Sequence, residues 1–274
     1  MPEYGQVEAI LAARTRWREQ LQARVDRQVV ALIAGMDESG WYDHPRITVW
    51  TAEVVAVVES AQIATAEVTD DYLREVAAEV AGRRLDPSEP VDPSTLRRGT
   101  THQGAYGRLA DQFRRQASEG MPVPEILSRI TTRARVMIND DLNLALRHQS
   151  MRWMRENDIS MYRRVIRPEM SEGQTCGLCL AASDRIYYRG DLMPMHGGCH
   201  CDVLPVIGTR DPGRFLNQAD LDSLYAQAGD STYGDDLFNT RYEIVEHGEL
   251  GPTLVDGRYS FRGPRKAAAD ATHK

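Results

Sequence analysis

Along the first 157 positions, apolar residues recur at steps of three, four and seven. Between residues 6 and 36 the stripe is Ile10, Trp17, Leu21, Val25, Val29, Leu32 and Met36, the spacing of one face of an amphipathic helix. Gly35 and the Asp-Glu-Ser-Gly run at 37–40 end it, and residues 41–46 read as a loop. A second helix is predicted over 47–81, with Trp50, Val54, Val57, Ala61, Ala64, Val68, Tyr72, Val76 and Val80 on one face and Gly82 closing it. Its many alanines suit close helix packing. Three prolines and clustered charge make residues 83–98 a turn or linker. A shorter helix follows over 100–120, entered at Gly99 and carrying Tyr106, Leu109 and Phe113. Met121-Pro-Val-Pro breaks it. The helical period resumes over 125–157 through Ile126, Ile130, Val136, Ile138, Leu142, Leu146 and Met151.

The texture changes near residue 160. SMYRRVIRPE and VLPVIG read as short strands, with IYY a third between them. Residues 214–228 read as a short helix. YEIVEHG and TLVDGRYSF, joined around GELGP, read as a β-hairpin, and the tail RGPRKAAADATHK has low complexity. The expected class is therefore α+β. A helical domain with long helices spans 1–157, a small α+β domain spans 158–262, and 263–274 form a mobile tail. Helices of about 30 residues exceed the globular mean and fit an elongated bundle or a partner-binding hairpin.

Composition narrows the function classes. Of 274 residues 42% are hydrophobic and 27% charged, which reads as globular, and the net charge is −7. That balance argues against coating nucleic acid with the whole surface. Lysine occurs only at 266 and 274; so strong an arginine bias reads as codon usage in a GC-rich genome. No stretch approaches the about 18 uninterrupted apolar residues of a membrane span. MPEYGQVEAI lacks a basic-then-apolar signal pattern. The expected setting is a cytoplasm, where paired thiols seldom stay oxidised.

All four cysteines and two of the seven histidines lie between Cys176 and Cys201. The order is Cys176-x2-Cys179, sixteen residues, then His196-x2-Cys199-His200-Cys201. A C-x2-C knuckle points two thiolates at one point, Gly177 eases its turn, and a second cluster supplies the remaining donors of a tetrahedral site. Zn²⁺ favours this sulfur and nitrogen set, and the gap matches common structural spacings. The ligands are either the four cysteines, or Cys176, Cys179, His196 and one of Cys199 and Cys201. If Cys199–Cys201 begins the VLPV strand, alternation puts both sulfurs on one face and His200 on the other. Packing thiols, a redox pair and a catalytic metal are the rival readings. A catalytic zinc keeps an open position beside a general base, whereas here the sulfurs suffice to close the site. Asp184 and Asp191 read as solvated loop carboxylates.

Other chemistry is sparse. GxSxG, HExxH, P-loop and GxGxxG patterns do not occur. His44, His102 and His148 read as surface or packing residues, and His247 as a turn neighbour. Arg97-Arg98 and Arg114-Arg115 read as solvated rather than phosphate-binding.

TCGLC at 175–179, HGGCHCDVLPV at 196–206 and the distance between them resemble the C-terminal domain of phage minor head proteins, the family named for the F protein of phage Mu. The shared pattern is C-x2-C, a strand-rich insert, then H-x2-C-x-C and a strand ending in proline, here Cys176, Cys179, His196, Cys199, Cys201 and Pro205. The family usually has proline after the histidine and arginine between the last cysteines; this chain has Gly197 and His200. AEVVAVVESAQIATAEVTDDYL and EIVEHGELGPTL resemble the actinobacteriophage branch, so the likeness covers most of the chain. It implies a minor capsid protein, made in the host cytoplasm and carried in the virion, inside the shell or near the portal. Its implied partners are the portal, scaffold and major capsid proteins, with contact to packaged DNA and no membrane. Branch members are also called capsid maturation proteases, which makes cleavage of scaffold or capsid protein the alternative function. A DNA- or protein-binding zinc module is a third class.

Overall fold

A computed structural model describes residues 4–167, 182–189, 201–218, 221–222, 242–249 and 251–256. Four helices, α1 (Gly5–Gly35), α2 (His44–Ala81), α3 (His102–Ser118) and α4 (Val123–Glu156), precede three short strands, β1 (Met161–Val165), β2 (Ile186–Tyr188) and β3 (Asp202–Val206). A single-turn helix α5 (Pro212–Leu216) and a hairpin of β4 (Tyr242–His247) and β5 (Gly251–Asp256) follow. The observed class is α+β, mostly helical, with a small antiparallel sheet of order β2-β1-β3. Val165 pairs with Asp202 and Met161 with Val206, while the hairpin forms its own two-stranded sheet.

Local signals explain the helix ends. The segment predicted as loop instead forms a 3-10 turn, Glu38–Tyr42, and α2 starts at His44. Asp43 accepts from the Arg46 amide and Pro45 sits in the first turn, so two independent signals start the helix inside the segment read as a loop. Thr101 caps α3 through the Gly104 amide at 3.0 Å. Gly82 ends α2 with φ +69°, a left-handed conformation that costs glycine little.

Two large cores divide the bundle along its length, apart from a small cluster of Ala66, Val91, Leu96, Leu144 and Ala145. The distal one is helical throughout, from Leu21, Val25, Val29 and Ile33 across to Val54, Phe113, Ile126 and Ile130. Trp41 stacks on Phe113 with centroids 5.0 Å apart and meets Trp50 edge-on at 5.1 Å. The proximal core joins Val7 and Leu11 of α1, Leu73 and Val76 of α2 and Trp153 of α4 to Tyr162, Val165, Val203 and Leu204 of the sheet. Residue 158 thus marks a change of secondary structure inside one continuous apolar cluster. By length and composition α2 meets the measure of a membrane span, yet in this fold Val54, Val58, Leu73 and Val76 are fully buried against other elements.

The buried stripe departs from the predicted one in α1 and α4. Trp17 is only partly buried, and the inward positions there are Val7, Leu11, Arg14, Arg18, Leu21 and Val25. Val136 is 47% exposed, and Ala134 takes the inward place. Residues 83–98 are no free linker. Leu85, Val91 and Leu96 are buried. Asp70 Oδ1 accepts from the Ser88 amide (2.8 Å) and hydroxyl (2.7 Å), Gln149 Oε1 from the Val91 amide (2.9 Å), and Trp153 Nε1 donates to Asp86 O (3.1 Å). Apart from the 3-10 turn at Pro93–Thr95, this proline-rich segment forms no regular structure, and side chains of α2 and α4 take up part of its backbone hydrogen bonding. Of the predicted helix at 214–228, residues up to 216, 218, 221 and 222 are helical, with the Leu221 amide donating to Asn217 O at 2.9 Å, and 219–220 and 223–228 lie outside the described residues.

Candidate functional site: two buried charge nodes

Of the predicted metal donors, Cys201 is described and is 3% exposed. Cys176, Cys179, His196 and Cys199 lie outside the described residues, as does Asp191. Among the described residues no three His, Cys, Asp or Glu side chains gather as a metal site. Strand β3 begins at Asp202, one residue past Cys201. Strand alternation therefore does not decide between Cys199, His200 and Cys201 as donors.

The residue after Cys201 organises the first node. Asp202 is fully buried, and three guanidiniums converge on its carboxylate. Arg14 pairs with Oδ1, Arg18 stands 3.9 Å from the same oxygen, and Arg167 Nε donates to Oδ2 at 3.0 Å. Arg14 and Arg18 reach inward because they occupy the spacing of the apolar stripe, seven residues before Leu21 and Val25. The surroundings hold each arginine in place. The Arg14 guanidinium lies 4.6 Å from the Tyr72 ring centroid. Arg18 Nη2 donates to Asn143 Oδ1 at 2.7 Å. The Tyr72 hydroxyl donates to Val203 O, tying α2 to β3. Burial, with Arg18 and Arg167 nearby, pulls the Arg14 pKa down to about 9, which leaves it charged at neutral pH. Burial likewise pushes the Tyr72 phenol up to about 12.

The second node surrounds Asp141, also fully buried. The Tyr106 hydroxyl donates to Oδ2 at 2.8 Å, Arg97 Nε stands 2.8 Å from Oδ1, and His102 Nε2 stands 3.5 Å from Oδ1. On its other side His102 Nδ1 is 3.2 Å from Glu59. Burial and the adjacent Asp141 charge raise the Tyr106 pKa well above its ordinary value. For Arg97, burial acts to lower the pKa, but Asp141, Tyr106 and Glu249 outweigh it and the net direction is upward.

From this node a chain of pairs runs to the hairpin turn. Arg97 Nη1 is 2.9 Å from Glu249 Oε2, Arg108 pairs with Oε1, and the Arg98 amide donates to Glu249 O at 3.0 Å. Gly99 has φ +65°, and a Cβ there would come within 3.4 Å of Gly248 O, so the approach of turn to loop suits glycine. The reading of Arg97 as solvated is thus corrected: it is 8% exposed and holds two carboxylates. Arg114 is tied to Asp111 and to Trp41 O. Asp184, read as a solvated carboxylate, pairs with Arg214 at 2.5 Å. His102 is a packing histidine with ionic neighbours, while His44 is exposed. His148 faces a cavity, and burial with Arg147 and Arg98 nearby pulls its pKa down to about 4.

Chemically, both nodes crosslink elements far apart in the chain. Asp202 binds the start of β3 to α1, and Asp141 binds α4 to α3 and to the 83–98 strap, whose Arg97 goes on to Glu249 in the hairpin turn. No family model matches the chain, and neither a curated protein nor a solved structure matches it.

Proposed function

We propose that the chain is a structural minor head protein of a tailed phage, acting in head assembly near the portal. In this reading a zinc ion on Cys176, Cys179, Cys199 and Cys201, with His196 as the alternative donor, staples the C-terminal segment. The observation that carries it is the C-x2-C, sixteen-residue, H-x2-C-x-C order, whose sulfur and imidazole donors suit structural zinc. The one described donor fits that chemistry: Cys201 is buried at the entry of a strand, next to a carboxylate clamped by arginines. Bound there, the ion supplies a crosslink between the two ends of residues 176–201. Asp202 then carries that crosslink into the helical body, whose long helices offer packing surface to head partners. A small sheet with few strands gains from such closure, since its own core is marginal.

Two measurements test the reading. Metal analysis of the purified protein is expected to find one zinc per chain, and chelation to unfold the C-terminal segment while the helices persist; an oxidised cysteine pair without metal overturns the staple. Co-expression with the portal, scaffold and major capsid proteins of the same phage is expected to place the chain in sedimenting procapsids. Its absence from them, or specific scaffold cleavage by the purified chain, overturns the structural role.

A further inference from the structure

A cavity of about 500 Å³ opens between the 83–98 strap, the last turns of α4 and Arg189 after β2. Its volume falls in the range of small-ligand sites. Three guanidiniums line it, from Arg152, Arg155 and Arg189, against one carboxylate, Asp92. That carboxylate is already engaged, accepting from the Ser94 amide (2.9 Å) and hydroxyl (2.8 Å). The cavity is therefore positive within a chain whose net charge is −7.

Two of the arginines are held by one nitrogen each. Arg152 Nη1 donates to Glu89 O and Pro90 O, both at 3.0 Å. Arg189 Nη1 donates to Met154 O (3.2 Å), Arg155 O (3.4 Å) and Ile159 O (3.4 Å), over the end of α4. A guanidinium has five N–H donors, so anchoring through one nitrogen orients the group and leaves others for a ligand. Arg155 stands exposed on the rim. His148 also lines the cavity, and its Nε2 is buried with no hydrogen-bond partner among the described residues. A buried polar atom without a partner is uncommon and points to a missing group. Apolar side chains of Val91, Leu96 and Met151 complete the lining together with Thr95.

We propose that this cavity binds a nucleotide, its phosphate held by Arg152, Arg155, Arg189 and His148 Nε2, and its base against Val91, Leu96 and Met151. Fixed guanidinium forks match phosphate oxygens in pairs. A thioether and branched aliphatics suit a flat heterocycle better than they suit a bare inorganic anion. The site does not rest on the head-protein reading, although Arg189 lies within residues 176–201.

The phosphate has two sources, a free mononucleotide or a nucleic-acid strand, and calorimetric titration of the full chain separates them. The probes are dAMP, inorganic phosphate and a short single-stranded DNA. The expected result is dAMP binding tighter than about 1 mM and about tenfold tighter than inorganic phosphate. Arg155→Gln, on the exposed rim, is expected to weaken it about tenfold with an unchanged melting temperature; Arg189→Gln is expected to weaken it comparably and also to lower the melting temperature, because its bonds to the end of α4 are lost. Strand binding without dAMP binding, with the same loss in Arg155→Gln, supports the site and assigns the phosphate to a polynucleotide. Equal affinity for dAMP and inorganic phosphate overturns the nucleotide assignment. Binding unchanged by Arg155→Gln, or no binding of any probe up to about 10 mM, overturns the site.

Discussion

The two ends of the bundle use the same helices in different ways. At the distal end α1, α2, α3 and α4 bury aliphatic and aromatic side chains against one another and need nothing from beyond residue 156. At the proximal end α1 presents Arg14 and Arg18 where the stripe calls for apolar residues, and their carboxylate comes from β3. Apolar burial is tolerant, because any helix of suitable shape covers its neighbour. A buried guanidinium is not, because removing its partner leaves a desolvated charge. The distal end is thus self-sufficient, whereas the proximal end is conditional on the sheet.

Four measurements press on that contrast, taken from the largest expected effect downward. Asp202→Ala removes the carboxylate that three guanidiniums share and is expected to cost about 3–5 kcal/mol in chemical denaturation. Hydrogen exchange should then quicken in β1, β3 and the first turns of α1, with amides around Ile126 and Ile130 still protected; equal loss at both ends would remove the distinction. Acid comes next. His148 titrates near 4 when folded and ordinarily near 6.5, so the unfolded chain binds the extra proton first. Its share of stability is whole above about pH 6.5 and declines as pH falls toward 4, by up to about 3 kcal/mol. His148→Gln should flatten that slope in melts across the window, and an unchanged slope would assign it elsewhere. Glu249→Gln weakens the turn's hold on Arg97 and Arg108 and is expected to cost about 1–2 kcal/mol. Proteolysis should then cut beside the hairpin faster, with cleavage in the helices unchanged. Ile130→Val, a methyl deletion in the distal core, should cost about 1 kcal/mol with no effect on exchange in the sheet.

Periodicity alone located all four long helices, since steps of three and four in apolar residues report directly which face is covered. It placed Trp17 and Val136 inward because it scores polarity, and so passed over Arg14 and Arg18, which hold the same inward spacing. A strict seven-residue reading through Val7, Arg14 and Leu21 contained the signal. Arg97 and Asp141 were hidden for a different reason. Their partners are Tyr106 and Glu249, and a pair between a helix and a distant turn leaves no trace in any local window. The strap at 83–98 has the composition of a linker, and only side chains of α2 and α4 show that its backbone is held.

The pairing of Arg14 with Asp202 spans 188 positions of chain. During synthesis from the N-terminus, the distal core is complete once α4 has left the ribosome, and it can close then. The first turns of α1 must wait through the cysteine segment for their counter-charge. Until β3 emerges, the start of α1 is less settled than the distal core that follows it, and it is the part a chaperone would find open.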